Sequence, residues 1–382
     1  MREVVIVEAV RTPIGKRNGA LKNIRPDELA ALVLQEVIKR AGIPTNLVDD
    51  VILGCVSQVE EQAVNIARTA ALMAGFPVEV PGTTIDRQCG SGQQAVHFAS
   101  QAILSGDMDI VIAGGVESMT RVPMNSTRKE SVWSSMLTSQ YEMIHQGHSA
   151  ERIADKWNLS RQELDEFALE SHQRAVSAQG EGFFRDEIMP LEVTLDDGTK
   201  QLVDLDEGPR RDTSLEKLAS LKPVFKVNGK IHAGNSSQMS DGAAVLLLMS
   251  REKANDLGLK PKCKVVARTV VGSDPTLMLT GPIEATKMVL KKAGLSIEDI
   301  NTYEVNEAFA PVPLIWLKEL GADQKKLNPN GGAIALGHPL GASGARLMIT
   351  LMNELERSGG RFGLQAVCEG GGMANATIIE RC

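Results

Sequence analysis

The sequence predicts an α/β protein in which a mainly parallel sheet is covered by helices on both faces. Short β-rich segments alternate with helical patterns over residues 1–119, as in parallel sheets with crossover helices. A similar pattern returns over residues 241–382, and both regions contain the same order of glycine-rich motifs. The length of 382 residues also exceeds that of one small domain.

The first region supplies the alternating elements on which this prediction rests. Four runs rich in β-branched residues predict strands, at residues 4–10, 51–56, 83–86 and 110–113. Three intervening segments predict helices, at residues 27–41, 65–75 and 93–104. Pro26 and Gly42 flank the first helix as a start and a stop signal.

Residues 120–237 break the pattern because they are polar, charged and rich in loops. One clear helix is predicted at residues 160–179, where Ser160 and Glu163 form a capping box. The segment is neither Gly/Ser-rich nor of low complexity, so we expect an excursion from the α/β core and not a linker. Regular elements then resume, at residues 241–249, 283–293, 300–304, 308–320, 346–358 and 376–380.

The two regular regions resemble each other in a way that indicates an internal duplication. Residues 90–92, Gly-Ser-Gly, open a predicted helix, and the strand after it ends in a glycine pair at residues 114–115. Residues 342–344, Ala-Ser-Gly, also open a helix, and the strand after it ends at the triple glycine of residues 370–372. Two matches in the same order favour duplication over chance.

Composition and charge exclude several classes of protein. Hydrophobic residues make up 43% and charged residues 23%, which argues against disorder and against a coiled coil. The net charge of −7 lacks the basic excess expected of a nucleic-acid-binding protein. The longest apolar runs are strand-sized and the first 16 residues do not form a signal peptide, so we expect no membrane span. Five cysteines without a Cys-x-x-Cys pair predict reduced thiols, a cytoplasmic setting and no metal site.

Two glycine-flanked residues are candidates for a nucleophile and a base. Cys89 lies between a predicted strand and a glycine-rich helix start, where helix N–H groups would lower the pKa of a thiol. It could equally be a small buried residue. His338 lies between Gly337 and Pro339, hence on a loop, and could act as a base or only hold a turn.

Two further residues complete this set of candidates. Cys368 ends a predicted strand before the triple glycine, whose N–H groups could form an oxyanion site or simply a tight turn. Asn306 could cap a helix or direct its amide at a neighbouring site. In open α/β sheets, ligands bind in the crevice at the carboxyl ends of the strands, where turns of this kind meet.

Four motifs follow one another along the sequence: DRQCGSG at 86–92, NEAFA at 306–310, the glycine-rich run at 331–344, and CEGGG at 368–372. In this order and over essentially the full chain, they resemble the motifs of the thiolases, the acetyl-CoA C-acyltransferases. The resemblance implies the thiolase fold, in which two similar βαβαβαββ halves form a five-layer αβαβα arrangement with an inserted loop domain. The implied domains are an N-terminal half (1–119 and 238–262), an inserted CoA-binding loop domain (120–237) and a C-terminal half (263–382).

The resemblance also implies roles for the residues of these motifs. Cys89 would be the nucleophile that becomes acylated, His338 would deprotonate it, and Cys368 would be the acid/base at the α-carbon of acetyl-CoA. Asn306 would hold a water that binds the enolate oxygen together with His338. The N–H groups of Cys89 and Gly370 would bind the oxygen of the acyl-cysteine. The implied substrate- and CoA-binding residues are Ser237, Phe225, His145, Gln146, Met278 and Arg210.

The activity implied is reversible, CoA-dependent cleavage of a 3-ketoacyl-CoA to acetyl-CoA and a shortened acyl-CoA through an acyl-cysteine. The reverse reaction is a Claisen condensation of acetyl-CoA to acetoacetyl-CoA. Coenzyme A is a substrate, no metal or other cofactor is implied, and the expected assembly is a homodimer or homotetramer. The alternatives are a dedicated acetoacetyl-CoA thiolase and a non-catalytic acyl-CoA or lipid carrier, which would not need all four candidate residues. Glu369 departs from the family pattern, which usually has a small or apolar side chain there.

Overall fold

The protein, seen in a computed structural model that describes residues 2–128 and 131–382, is built from alternating strands and helices. The predicted ranges 1–119 and 120–237 include Met1, Lys129 and Glu130, which lie outside the described residues. The strands are β1 (Val4–Arg11), β2 (Gly15–Lys16), β3 (Asp50–Gly54), β4 (Gly82–Ile85), β5 (Ile110–Ser118), β6 (Leu191–Thr194), β7 (Lys200–Val203), β8 (Ser240–Ser250), β9 (Cys263–Gly272), β10 (Thr302–Val305), β11 (Phe362–Glu369) and β12 (Met373–Arg381).

The α-helices are α1 (Pro26–Ala41), α2 (Ile66–Met73), α3 (Ser91–Ser105), α4 (Ser135–Thr138), α5 (Gln146–Lys156), α6 (Arg161–Gly180), α7 (Leu215–Ser220), α8 (Arg251–Asp256), α9 (Gly281–Ala293), α10 (Pro311–Leu320), α11 (Ala333–Leu336) and α12 (Leu340–Ser358). Short 3₁₀ helices lie at Thr45–Leu47, Glu60–Gln62, Ala233–Asn235, Met278–Thr280 and Gln324–Lys326. None of the helices in the described ranges is long and apolar enough to cross a membrane.

A ten-stranded sheet runs through the molecule in the order β10-β11-β12-β9-β1-β8-β5-β3-β4, and β2 pairs with β8 at its side. The two halves of this sheet meet where β1 pairs briefly with β9. The prediction of a mainly parallel sheet is wrong, because the parallel pairs in the described residues are β3–β4, β3–β5 and β10–β11. Strand β12 follows β11 through a short glycine turn, and a hairpin is necessarily antiparallel. Strand β8 returns from the polar segment and runs antiparallel to both β1 and β5.

Three apolar clusters lie between the layers of the fold and hold them together. One cluster packs α1 and α2 against the strands of the N-terminal half. A second packs α9 and α10 against the strands of the C-terminal half. A third buries α3 and α12 between the two halves of the sheet. The order helix–sheet–helix–sheet–helix confirms the predicted five-layer αβαβα arrangement.

Helices α3 and α12 approach each other so closely that their contact requires glycine. A Cβ added to Gly92 would lie 2.7 Å from the carbonyl oxygen of Gly341. A Cβ added to Gly344 would overlap the backbone nitrogen of Gln93. This approach places the turn that precedes α3 beside the loop that precedes α12, so Cys89 and His338 reach the same region.

The polar segment carries more regular structure than the sequence indicates. The predicted helix with its Ser160–Glu163 capping box is confirmed as α6. The expectation of one helix is wrong, however, because α4, α5, α7 and the β6–β7 hairpin also form there. A buried ion-pair cluster anchors the segment to β1: the Arg11 guanidinium donates to Asp206 Oδ1 over 2.7 Å and to Glu187 Oε1 over 2.8 Å.

We predict that Gly344→Ala lowers the free energy of unfolding by about 1–3 kcal/mol, because the added methyl group must separate α3 from α12. Denaturant titration measures this change. Gly180→Ala is the matched control, since a Cβ at that exposed helix position meets no atom within 4 Å. The control is expected to be neutral or slightly stabilising. Equal destabilisation by both substitutions would contradict the close contact of α3 and α12.

Candidate active site

Cys89 lies in a tight turn between β4 and α3 that its own neighbours hold in place. Gln88 has a left-handed backbone with φ of 49°. The Asp86 carboxylate stabilises this conformation by accepting the Gln88 N–H over 2.7 Å. Ser91 Oγ accepts the N–H of Arg87 over 2.8 Å and donates to the Gln88 carbonyl over 2.6 Å. The sequence analysis did not identify the strained residue, although an aspartate two positions earlier is a signal for such a turn.

The prediction that the helix start lowers the pKa of the Cys89 thiol is wrong. Burial raises the pKa of Cys89 to about 12, and the nearby carboxyl of Glu369 also raises it. The backbone N–H groups of Cys89 and Gly370 lower this pKa, but they do not offset the loss of solvation. The thiol is therefore protonated at neutral pH, and it needs a base before it can act as a nucleophile.

His338 has the protonation state that such a base requires. Its Nδ1 lies 2.6 Å from Ser343 Oγ, and that hydroxyl donates to the Pro339 carbonyl over 2.8 Å. With the hydroxyl hydrogen used in this way, Nδ1 must carry the ring proton, and Nε2 is the unprotonated nitrogen, which can accept a hydrogen. Burial lowers the pKa of His338 to about 3, and the charge of Arg346 also lowers it. The imidazole is therefore neutral at pH values where enzymes usually work.

Asn306 faces His338 and does not cap a helix. Helix α10 begins only at Pro311, with Ala310 as its N-cap, so the expectation of an N-cap role for Asn306 is wrong. The Asn306 amide instead donates to His338 Nε2 over 3.3 Å. Its Oδ1 is buried and finds no hydrogen-bond partner among the described residues. A buried acceptor of this kind can bind a polar group that enters the site.

Cys368 and the glycines after it border Cys89 from the C-terminal half. Cys368 is buried at the end of β11, and burial followed by the charge of Cys89 raises its pKa. Gly370 and Cys89 line the same cavity, and the backbone N–H of Gly370 lowers the pKa of the Cys89 thiol. Gly371 and Gly372 have φ of 83° and 82°, so the tight-turn interpretation applies to those two residues. The oxyanion-site interpretation of the triple glycine stays a prediction.

Two adjoining cavities meet at Cys89, and we name each after one of its residues. The His338 cavity, of about 140 Å³, is lined by Cys89, His338, His145, Gln146, Phe225, Ser237 and neighbouring residues. The Met278 cavity, of about 350 Å³, is lined by Cys89, Gly370, His145, Gln146, Met278, Met124, Met143, Trp133 and neighbouring residues. The structure thus brings together most of the residues named from the sequence. In the described ranges, no group of three or more His, Cys, Asp or Glu residues could hold a metal ion.

Aromatic contacts fix the polar segment over the His338 cavity. The Phe225 ring stacks on His145 with centroids 5.2 Å apart and meets Phe309 edge to face at 6.1 Å. His145 caps α5, since its Nδ1 accepts the Gly147 N–H over 3.1 Å. Partial burial, followed by the charge of His148, lowers the pKa of His145. On the other side, the Ser237 N–H donates to the Ala308 carbonyl over 3.0 Å.

Three residues named from the sequence are not among the described residues that line these cavities. Asn306 and Cys368 lie beside His338 and Cys89, whereas Arg210 lies apart from them. It is exposed, and it is not among the described residues that line either cavity. Its backbone N–H donates to Nδ1 of the buried His172 over 3.1 Å. Its side chain therefore faces solvent on the polar segment.

Glu117 holds the loops of the site together, and the sequence analysis assigned it no role. Its buried carboxylate accepts the N–H groups of Val56, Ser57 and Gly341 over 2.9, 3.0 and 2.9 Å, and the Gln62 amide over 2.8 Å. Burial raises its pKa. Its partners are distant in the sequence, so no local pattern indicates this position.

Comparisons with known proteins agree over the whole chain. Residues 4–252 match the family model described as "Thiolase, N-terminal domain", and residues 259–381 match "Thiolase, C-terminal domain". The chain is 49% identical to the steroid 3-ketoacyl-CoA thiolase FadA6 of Mycobacterium tuberculosis, covering 100% of this chain and 95% of that protein. It is 45% identical to the 3-ketoacyl-CoA thiolase of Bacillus subtilis, with 100% of each covered. The solved acetyl-CoA acetyltransferase of Bacillus anthracis superposes with a TM-score of 0.92 and 43% identity, covering 100% and 99% of the two chains.

We predict that His338→Asn slows alkylation of Cys89 by iodoacetamide about 100-fold near pH 7, because the buried thiol then lacks a base. Mass spectrometry of the labelled peptide measures the rate. His172→Asn removes another buried histidine, whose Nδ1 accepts the backbone N–H of Arg210, and is the matched control. The control should react like the unmodified protein. Equal alkylation rates for His338→Asn and the unmodified protein would contradict the role of His338 as a base.

Proposed function

The chain belongs to the thiolase family, and from that premise we propose that the groups converging on Cys89 form its catalytic centre. The protein is an acyltransferase: it cleaves a 3-ketoacyl-CoA with coenzyme A into acetyl-CoA and a shortened acyl-CoA. The reverse reaction condenses two acetyl groups into acetoacetyl-CoA. The observation that carries the assignment of residues is the shared cavity of a protonated buried thiol and a neutral imidazole.

In the first half-reaction, His338 Nε2 takes the proton of the Cys89 thiol, and the thiolate attacks the ketone carbon of the substrate. The bond between the α-carbon and the ketone carbon then breaks, leaving an acyl-cysteine and the enolate of acetyl-CoA. Cys368 donates its thiol proton to the α-carbon of that enolate, which releases acetyl-CoA. A covalent intermediate of this kind divides one difficult displacement into two easier ones.

Negative charge develops on two different oxygens, so two sites must stabilise it. The N–H groups of Cys89 and Gly370 are proposed to bind the oxygen of the acyl-cysteine, and the lowering effect of both groups on the pKa of the Cys89 thiol supports this. Protonated His338, with a water held by Asn306, is proposed to bind the enolate oxygen. The hydrogen bond between His338 and Asn306 and the unpaired Asn306 Oδ1 support that role.

In the second half-reaction, the Cys368 thiolate takes the proton of the CoA thiol. The resulting CoA thiolate attacks the acyl-cysteine carbonyl, and Cys89 leaves and recovers its proton from His338. Both thiols and the imidazole then have their starting protonation states. Coenzyme A enters as a substrate, and none of these steps uses a metal or another cofactor.

The two cavities support separate binding sites for the pantetheine arm and for the acyl group of the substrate. Ser237, Phe225, His145 and Gln146 are proposed to hold the pantetheine arm in the His338 cavity. The Met278 cavity is lined by methionines and Trp133 together with polar residues such as Asn125 and Arg128, and its volume of about 350 Å³ is much larger than an acetyl group requires. It supports a substrate with a longer acyl group and disfavours the alternative of a dedicated acetoacetyl-CoA thiolase. Arg210 is proposed to meet a phosphate of coenzyme A, since its exposed guanidinium suits a charged group at the surface.

The organisation of the protein is also part of this proposal. We propose an N-terminal half of residues 1–119 and 238–262, an inserted CoA-binding domain of residues 120–237, and a C-terminal half of residues 263–382. The pairing of β8 with β1 and β5 supports the return of the chain to the first half. A homodimer or homotetramer is proposed on family grounds. A reducing, cytoplasmic setting is proposed because all five cysteines are free thiols.

We predict that Cys89→Ser abolishes formation of the acyl-enzyme and nearly all turnover. Cys368→Ala should still acetylate Cys89 from acetyl-CoA but fail to condense it with a second acetyl-CoA, because the α-proton then has no acceptor. Intact-protein mass spectrometry measures acetylation, and product analysis measures condensation.

Cys263→Ala is the matched control for these two variants, because it also removes a buried thiol. It should retain both half-reactions. Full thiolysis by Cys89→Ser would overturn the assignment of the nucleophile. Binding of acyl-CoA without turnover by the unmodified protein would favour the carrier alternative.

We predict that kcat/KM for thiolysis rises with acyl chain length above acetoacetyl-CoA, because each methylene buried in the Met278 cavity contributes about 0.8 kcal/mol. A series of 3-ketoacyl-CoA substrates of increasing length measures this dependence. Activity confined to acetoacetyl-CoA would contradict the proposal and support the dedicated enzyme.

A further inference from the structure

Glu369 is a buried carboxyl at the point where both reactive thiols meet. It directly follows Cys368 at the end of β11 and is fully buried. A Cβ added to Gly90 would overlap Glu369 Oε1, so the carboxyl lies against the backbone that follows Cys89. The sequence shows only that Glu369 adjoins Cys368. Its packing against Gly90 is seen only in the folded structure.

Both oxygens of Glu369 lack a hydrogen-bond partner among the described residues. Buried carboxyl groups with a purely structural role are normally hydrogen-bonded. Glu117, which is equally buried, accepts four hydrogen bonds. Glu307 accepts hydrogen bonds from Ser171, Asn328 and the Ile334 N–H. Glu369 therefore does not anchor a loop as these two residues do.

Four charged or titratable groups surround the carboxyl, from two parts of the fold. On the turn between β4 and α3, Arg87 favours its ionised form and Asp86 opposes it. Cys89 on the same turn and Cys368 on β11 each have a raised pKa for which the charge of Glu369 is one cause. The interaction is reciprocal, because two adjacent anions disfavour each other equally.

We propose that Glu369 is a positioning residue whose carboxyl, by losing or keeping its proton, controls how readily the thiols of Cys89 and Cys368 ionise. The inference rests on the proposed function of these two cysteines. A neutral carboxyl leaves the thiols free to give up a proton to their bases. An ionised carboxyl adds a negative charge beside each thiolate in a site where little water screens it.

The sign of the pH dependence follows from this arrangement. Burial is the largest cause that raises the pKa of Glu369 to about 8, with Asp86 also raising it and Arg87 lowering it. Below that pH the carboxyl is neutral and does not oppose the thiolates. Above it the carboxylate appears, and the pKa of each thiol rises further. Glu369 therefore lowers the reactivity of the thiols at alkaline pH and does not lower it at neutral pH.

The test compares alkylation of Cys89 by iodoacetamide in Glu369→Gln and in the unmodified protein, from about pH 6 to about pH 10. Glutamine keeps the shape of the side chain but carries no charge. We expect the ratio of the two rates to be near one at about pH 6 and to rise to roughly tenfold above about pH 9, since one unit of thiol pKa is a factor of ten. Glu369→Asp keeps the charge and should follow the unmodified protein.

Thermal unfolding at alkaline pH separates charge from packing. The folded-state pKa is raised, so ionisation of Glu369 opposes folding once the pH exceeds the unfolded-state pKa, and fully above about 8. Glu369→Gln should therefore have a Tm equal to or above that of the unmodified protein at high pH. A ratio of alkylation rates that does not vary with pH, or a lower Tm at every pH, would overturn the inference. Absence of label on Cys89 in every variant would instead refute the proposed function.

Discussion

The close approach of α3 and α12 determines where the reactive groups of this protein lie. Glycine at the contact lets the two helices pack backbone against backbone between the halves of the sheet. The turn with Cys89 precedes one helix, and the loop with His338 precedes the other. Helix packing therefore brings together side chains that are about 250 residues apart in the chain. Glu117 then joins the surrounding loops, because its carboxylate binds backbone N–H groups from both halves.

Burial sets the chemistry of the groups assembled in this way. Loss of solvation raises the pKa of the Cys89 thiol and lowers the pKa of the His338 imidazole, so both are uncharged at rest. An ion pair would be costly here, whereas a neutral thiol beside a neutral base costs little. In the mechanism that we propose, proton transfer creates charge only when a substrate has entered and the backbone N–H groups can stabilise it. Glu369 is a further titratable group in the same poorly solvated region, and burial raises its pKa as well.

Part of this arrangement could be predicted from the sequence, because its signals lie within short stretches of the chain. The repeated glycine-rich helix starts indicate two similar halves, and the four motifs indicate Cys89, His338 and Cys368 as candidate reactive residues. Strand direction was predicted wrongly, because the antiparallel strands β5 and β8 are buried on both faces and have the continuous apolar runs typical of parallel strands. The pKa of Cys89 was predicted with the wrong sign, because the sequence shows the helix start but not the burial or the packing of Glu369. For Asn306 the sequence leaves open a helix cap or an amide directed at a neighbouring site. Helix α10 begins five residues later, at Pro311, and the amide donates to His338. The partners of Glu117 are distant in the chain, so only the fold reveals them.

A crystal structure of the protein trapped with acetyl-CoA is the most direct test of the proposed centre. We expect an acetyl group covalently bound to Cys89 Sγ, with its oxygen directed at the N–H groups of Cys89 and Gly370. A second acetyl-CoA bound to that acyl-enzyme should place its α-carbon within about 4 Å of the Cys368 sulfur. An acetyl group attached elsewhere, or an α-carbon far from Cys368, would contradict the convergence of both thiols on one reacting substrate.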